Sequence, residues 1–152
     1  MKTSLKQYFS YPQSELLILA LISFIIFVLL EVCSRTYDLF YYFSNIDIPL
    51  HILSGFAIMI GFLWVLNFPG FRAISTEKKR IIAAVSTFII SILWELVEIL
   101  QELFFTDPDY LKDVFFWDGF FDVLFSIVGA IVAVLILRLL KNKTDLFCDI
   151  NI

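Results

Sequence analysis

Four long apolar runs divide the chain, at about residues 16–33, 49–68, 81–104 and 115–140. None shows the strict alternation of a membrane strand, and each is close to the roughly 20 residues that a helix needs to cross a ~30 Å hydrocarbon core. The pattern predicts four membrane-spanning helices. Pro49 suits the first turn of the second span, where its missing N–H costs nothing, and Asn67-Phe68-Pro69-Gly70 reads as a stop. Thr106-Asp107-Pro108-Asp109 resembles a cap that opens a short amphipathic piece before the fourth span. The first span is expected to be retained. No small-x-small cleavage site follows it, and Leu30-Glu31-Val32-Cys33 has bulky Val32 where a lipoprotein box needs a small residue. Residues 34–46 stay open between a surface helix and a loop. No repeat or low-complexity tract interrupts the pattern, so residues 1–152 are expected to form a single integral membrane domain.

Composition sharpens the class. The chain is 61% hydrophobic and 18% aromatic, with only 17% charged residues, where a soluble domain carries about a quarter. The net charge of -4, with no basic stretch longer than Lys78-Lys79-Arg80, excludes a nucleic-acid partner. Nine Lys and Arg fall on one side of the four spans (Lys2, Lys6, Arg72, Lys78, Lys79, Arg80, Arg138, Lys141, Lys143) and only Arg35 and Lys112 on the other. The positive-inside bias therefore predicts both termini in the cytoplasm. The expected fold class is an all-α, polytopic protein of the cell membrane, a bundle of four transmembrane helices in contact with lipid. Tyr110, Phe115, Phe116 and Trp117 fit an outer aromatic belt. Cys33 and Cys148 lie on opposite sides and cannot pair within one chain.

The acidic excess raises the question of chemistry. Glu31, Asp47, Glu95, Glu98, Glu102, Asp118 and Asp122 lie in or at the edges of the spans, all in the outer half, and His51, the single histidine, joins them. Even on the mildest scales a carboxylate near the middle of a membrane helix costs ~2.5 kcal/mol or more, so such groups need internal partners. At about 100° per residue, Asp47 and His51 share a helical face with Ser54 nearby; Glu95, Glu98 and Glu102 fall within about 60°; Asp118 and Asp122 repeat the one-turn spacing, and Gly129 continues that face. Three stripes at similar depth predict one polar pocket toward the outer leaflet.

Carboxylates with one imidazole are hard or borderline ligands, suited to Mg, Ca, Mn, Zn or iron. Asp47, His51, Glu95, Glu98, Asp118 and Asp122 are the candidate ligands of a divalent metal ion, and the alternative to a bound cation is a proton-accepting cluster. Plainer roles stand beside these. Asp47 ahead of Pro49 also fits a helix N-cap, Glu102 a solvated helix end, Glu31 a one-turn bridge to Arg35, and His51 a structural histidine held by Asp47. Trp94 and Trp117 fit lipid contact and packing.

Asp47-x-x-x-His51-x-x-x-Gly55-Phe56, Trp94-Glu95-x-x-Glu98, and Trp117-Asp118-x-x-x-Asp122 with Gly129-Ala130 together resemble the YjdF-type family of small bacterial and archaeal membrane proteins. The likeness covers about residues 47–131, with Ile48 where that pattern usually has a basic residue. The VanZ-like family is more distantly similar, through the Asp47/His51 opening, Glu98-x-x-Gln101 and Asp122. The first resemblance implies that the six candidate ligands form a characteristic polar set, and brings no assigned reaction. The second implies a cell-envelope setting and glycopeptide resistance.

Three functions compete. A non-catalytic membrane protein would use the acidic network, with or without a structural cation, to fix the bundle and meet a membrane protein partner or a second copy. A metal-dependent enzyme acting on a lipid or lipid-linked substrate would use Glu95 or Glu98 as catalytic base, with Asp118, Asp122 and His51 as ligands. It would have only Arg35 and Lys112 to hold a phosphate. A cation or proton transporter would need an inner-half route, for which the spans offer little beyond Ser23, Ser86, Thr87 and Ser91.

Overall fold

A computed structural model describes residues 12–37, 39–43, 45–105 and 115–143. Among these the chain is all-helical: α1 (Pro12–Thr36), α2 (Leu39–Tyr42), α3 (Asp47–Leu66), a single 3₁₀ turn at Pro69–Phe71, α4 (Thr76–Phe105) and α5 (Phe115–Lys143). Four of them are long and apolar enough to cross a membrane, over Ser14–Thr36, Asp47–Leu66, Thr76–Gln101 and Trp117–Leu140. The cap expected at Thr106-Asp107-Pro108-Asp109 with the short amphipathic piece after it, Tyr110 of the aromatic belt, and Cys148 lie outside the described residues.

The helix limits depart from the apolar runs for physical reasons. α4 begins at Thr76 rather than 81, because Glu77, Lys78, Lys79 and Arg80 extend it with residues that are poor in lipid but good in helices. Glu77 in its first turn complements the helix dipole, as Glu15 and Arg35 do at the two ends of α1. α3 stops at Leu66, two residues before the apolar run ends. The Asn67 side chain donates to the Leu63 carbonyl at 2.9 Å, and Phe68 is extended, as a residue before proline tends to be. Among the described residues of 34–46, α1 runs on to Thr36 and α2 adds one turn at Leu39–Tyr42. Asp47 is not an N-cap. Ile46 holds that position without a side-chain cap, and Asp47 is the first helical residue.

α3 is the centre of the bundle, with 39% of its most apolar stretch buried against 11% for that of α1. Leu16 and Ala20 of α1, Met59, Ile60 and Leu63 of α3, Ala83 of α4, and Ala133 and Leu137 of α5 meet in the core. Outward-facing Ile, Leu, Val and Phe cover the rest, as in Leu29 at 59% exposure and Leu139 at 60%. Water would not tolerate such a surface, whereas lipid tails do.

Two packing relationships set the register. α3 and α5 run parallel and touch through backbone: a Cβ on Gly55 would overlap the Ser126 carbonyl, and one on Gly129 would overlap the Ile52 carbonyl. Small residues at such a crossing let membrane helices approach closely. α3 and α4 run antiparallel, with matched contacts every eight residues. Lys79 Nζ donates to Asn67 Oδ1 at 3.2 Å, Thr87 Oγ1 lies 4.0 Å from Met59 Sδ, and Glu95 Oε1 lies 3.7 Å from His51 Nδ1.

Candidate metal centre

His51 stands one turn into α3, only 6% exposed, between carboxylates from three helices. On one edge of the ring, Nε2 lies 3.2 Å from Asp47 Oδ1 and 3.6 Å from Asp122 Oδ1. On the other, Nδ1 lies 3.7 Å from Glu95 Oε1. Each contact follows from the helix geometry. Asp47 is one turn before His51 on α3, the Gly55–Ser126 crossing one turn further along brings Asp122 alongside, and the antiparallel register delivers Glu95. Two groups of potential ligands share the histidine, Asp47/His51/Asp122 and His51/Glu95/Glu98, with one atom from each residue within 4.8 Å of the others in its group.

Glu98 is tied to a fourth helix. Arg35 at the end of α1 donates from Nη2 to Glu98 Oε1 at 2.8 Å and from Nε to Glu31. The expected Glu31–Arg35 bridge therefore exists, but as half of a two-carboxylate clamp from α1 to α4. Beside it a cavity of about 190 Å³ is lined by His51, Asp47, Glu31, Glu95 and Glu98 together with Trp94 and Phe27. The two aromatic rings meet edge-on at 6.3 Å, so Trp94 forms part of the cavity wall as well as facing lipid.

One polar atom in this site is unmet. Glu95 Oε1 is buried without a hydrogen-bond donor, and a buried acceptor left this way costs about 1–3 kcal/mol, more when charged. Gly119 of α5 leaves space for that carboxylate: a Cβ there would stand 3.1 Å from Glu95 Oε2.

The sequence pattern placed six residues in one set, and five of them converge. Asp118 sits one turn before Asp122 on α5 but is exposed and belongs to neither ligand group. At its level α3 is at its first residue, and little of that helix remains to cover it. Glu102 lies on α4, but its side chain is outside the described residues. Ser54 lines the cavity and donates to the His51 carbonyl at 2.9 Å. Sequence reasoning missed the Arg35–Glu98 contact and Ser126. Arg35, one of two outer-side cations, at the end of a span was the available signal for the first, and the face that runs from Asp122 to Gly129 for the second.

Deeper in the bundle the hydroxyls are committed locally. Ser23 donates to the Leu19 carbonyl, Thr87 to that of Ala83 and Ser91 to that of Thr87. The arrangement gathers carboxylates and one imidazole at one end of the bundle, as a cation-binding site requires.

The family described as Predicted membrane protein (DUF2238) matches residues 2–143. No curated protein and no solved structure matches the chain. With the match spanning nearly the whole sequence and four helices fit to cross a bilayer, the chain belongs to this family and is a multi-pass membrane protein.

Proposed function

We propose that the cluster is a divalent-cation site that fixes the four-helix bundle, in a single membrane domain whose termini face the cytoplasm and whose site faces outward. The cation sits in the cavity against His51 Nδ1, with Glu95 and Glu98 as carboxylate ligands. Asp47 and Asp122 flank Nε2 and orient the ring, as carboxylates commonly do for a metal-bound histidine. The observation that carries this reading is the buried, unmet Glu95 Oε1 beside that nitrogen and that cavity. One imidazole among carboxylates favours a first-row transition ion such as manganese, iron or zinc over calcium or magnesium.

YjdF-type proteins and this family are, on this reading, one group. The VanZ-like resemblance of Asp47, His51, Glu98, Gln101 and Asp122 supports an envelope setting. A bundle with a short outer surface suits a structural or partner-binding role there. The cavity's aromatic wall favours a second reading, a metal-dependent enzyme acting on the polar end of a lipid or lipid-linked substrate, with Glu95 or Glu98 as base. A transporter is disfavoured by inner hydroxyls bonded to their own helices.

Chelation tests the structural role. A cation held at 100 times its Kd stabilises the fold by about 2.7 kcal/mol, worth roughly 5–10 °C for a chain of this size. EDTA should lower the melting temperature of the parent in detergent by that amount and leave Glu95→Gln unmoved. An unmoved parent would contradict the proposal.

A further inference from the structure

At the opposite end of the bundle a second cavity, of about 360 Å³, lies between α4 and α5 with Met59 of α3 at its floor. Its walls are apolar, with Ala84 and Ala130 leaving the room that larger side chains would fill, and exposed Ile131 and Leu135 at its lip. Arg80 and Arg138 both line it. Among the described residues no carboxylate lies within 4.0 Å of either guanidinium, and Arg80 Nε is buried without a hydrogen-bond acceptor.

The length of the groove indicates what fills it. From Ile127 to Arg138 it follows twelve residues of α5, a rise of about 16 Å at 1.5 Å per residue. Half of a ~30 Å hydrocarbon core is about 15 Å, so the groove is long enough for the acyl region of one leaflet and has at its end two cations with no carboxylate partner among the described residues. A guanidinium presents a planar fork of donors that matches phosphate oxygens.

We propose that this groove is a binding site for an anionic phospholipid, with one acyl chain lying between α4 and α5 and the phosphate held by Arg80 and Arg138. The lipid supplies the acceptor that Arg80 Nε lacks, and basic pockets between membrane helices are suited to such headgroups. The site is independent of the cation cluster, since the two share no lining residue.

Native mass spectrometry of the full chain in non-ionic detergent tests it, with dioleoyl phosphatidylglycerol, dioleoyl phosphatidylcholine and sodium phosphate as probes. The expected result is one phosphatidylglycerol retained at least about tenfold more tightly than phosphatidylcholine, and not displaced by an equal concentration of phosphate. Arg80→Gln/Arg138→Gln should lose about tenfold in that affinity, Ala84→Phe should weaken it by filling the groove, and Lys78→Gln should leave it unchanged. If the double variant does not fold, Arg138→Gln at its exposed position carries the comparison. Equal retention of both lipids, displacement by free phosphate, equal loss in Lys78→Gln, or a dimer that excludes lipid would each overturn the proposal.

Discussion

Gly55 of α3 lies backbone to backbone on Ser126 of α5, one turn further into the bundle than the level at which His51 meets Asp122. Gly129 repeats the relation against Ile52, so two glycines, one from each helix, hold the parallel pair together. The crossing and the polar cluster are thus one construction: bringing the backbones into contact is what puts an aspartate from α5 beside a histidine from α3.

Adding a methyl group at this crossing should separate the helices. Gly55→Ala and Gly129→Ala each force the partner backbone to move, for which overpacking costs of about 1–3 kcal/mol are expected. Gly61 on α3 has open space around it, and Gly61→Ala should be neutral or stabilise by about 0.5–1 kcal/mol through helix propensity. Reversible unfolding in mixed micelles measures all three. Equal effects at Gly55 and Gly61 would remove the close-approach argument.

Arg35 bridges Glu31 on its own helix and Glu98 on α4, yet its side chain is 53% exposed. Exposed ion pairs are worth about 0.2–1 kcal/mol, so Arg35→Gln should cost no more than about that for each contact. A double-mutant cycle with Glu98→Gln should return a coupling in the same range. No coupling would mean that the contact does not hold α1 to α4 in solution.

The charge bias makes a prediction about sidedness. In a background with Cys33 and Cys148 replaced by Ser, Tyr37→Cys at the cluster end should react with an impermeant maleimide applied from outside intact cells. Gly70→Cys, at the opposite end, should react only after the membrane is opened. The reverse pattern would put the cation cluster in the inner leaflet and remove the argument for an envelope role.

Much of this architecture was legible in the chain. Apolar runs revealed the four spans, and one-turn spacing revealed that Asp47 with His51, and Glu95 with Glu98, share helical faces. What spacing could not convey is where a helix lies relative to its neighbours' ends. Asp118 and Asp122 are equivalent on a helical wheel, but only Asp122 sits deep enough to be covered by α3. The rotation of α1 was equally hidden, because a helix apolar on all sides carries no stripe to orient it. Its contribution to the site, Arg35 to Glu98, spans 63 residues of sequence. The early start of α4 escaped for a related reason: a hydropathy pattern marks where lipid ends, and the helix continues past that point.

Metal content decides whether His51 and its carboxylates hold a cation. Protein purified without chelator from cells grown in metal-replete medium, then dialysed and analysed for all first-row divalent ions, should carry close to one equivalent of a single ion. His51→Ala and Glu95→Gln should lose it while keeping a monodisperse, helical fold, and Lys78→Gln should retain it. Metal-free parent protein that is folded and unchanged by added manganese, iron or zinc would overturn the cation site, leaving the cluster as a network held by His51 and its carboxylates alone.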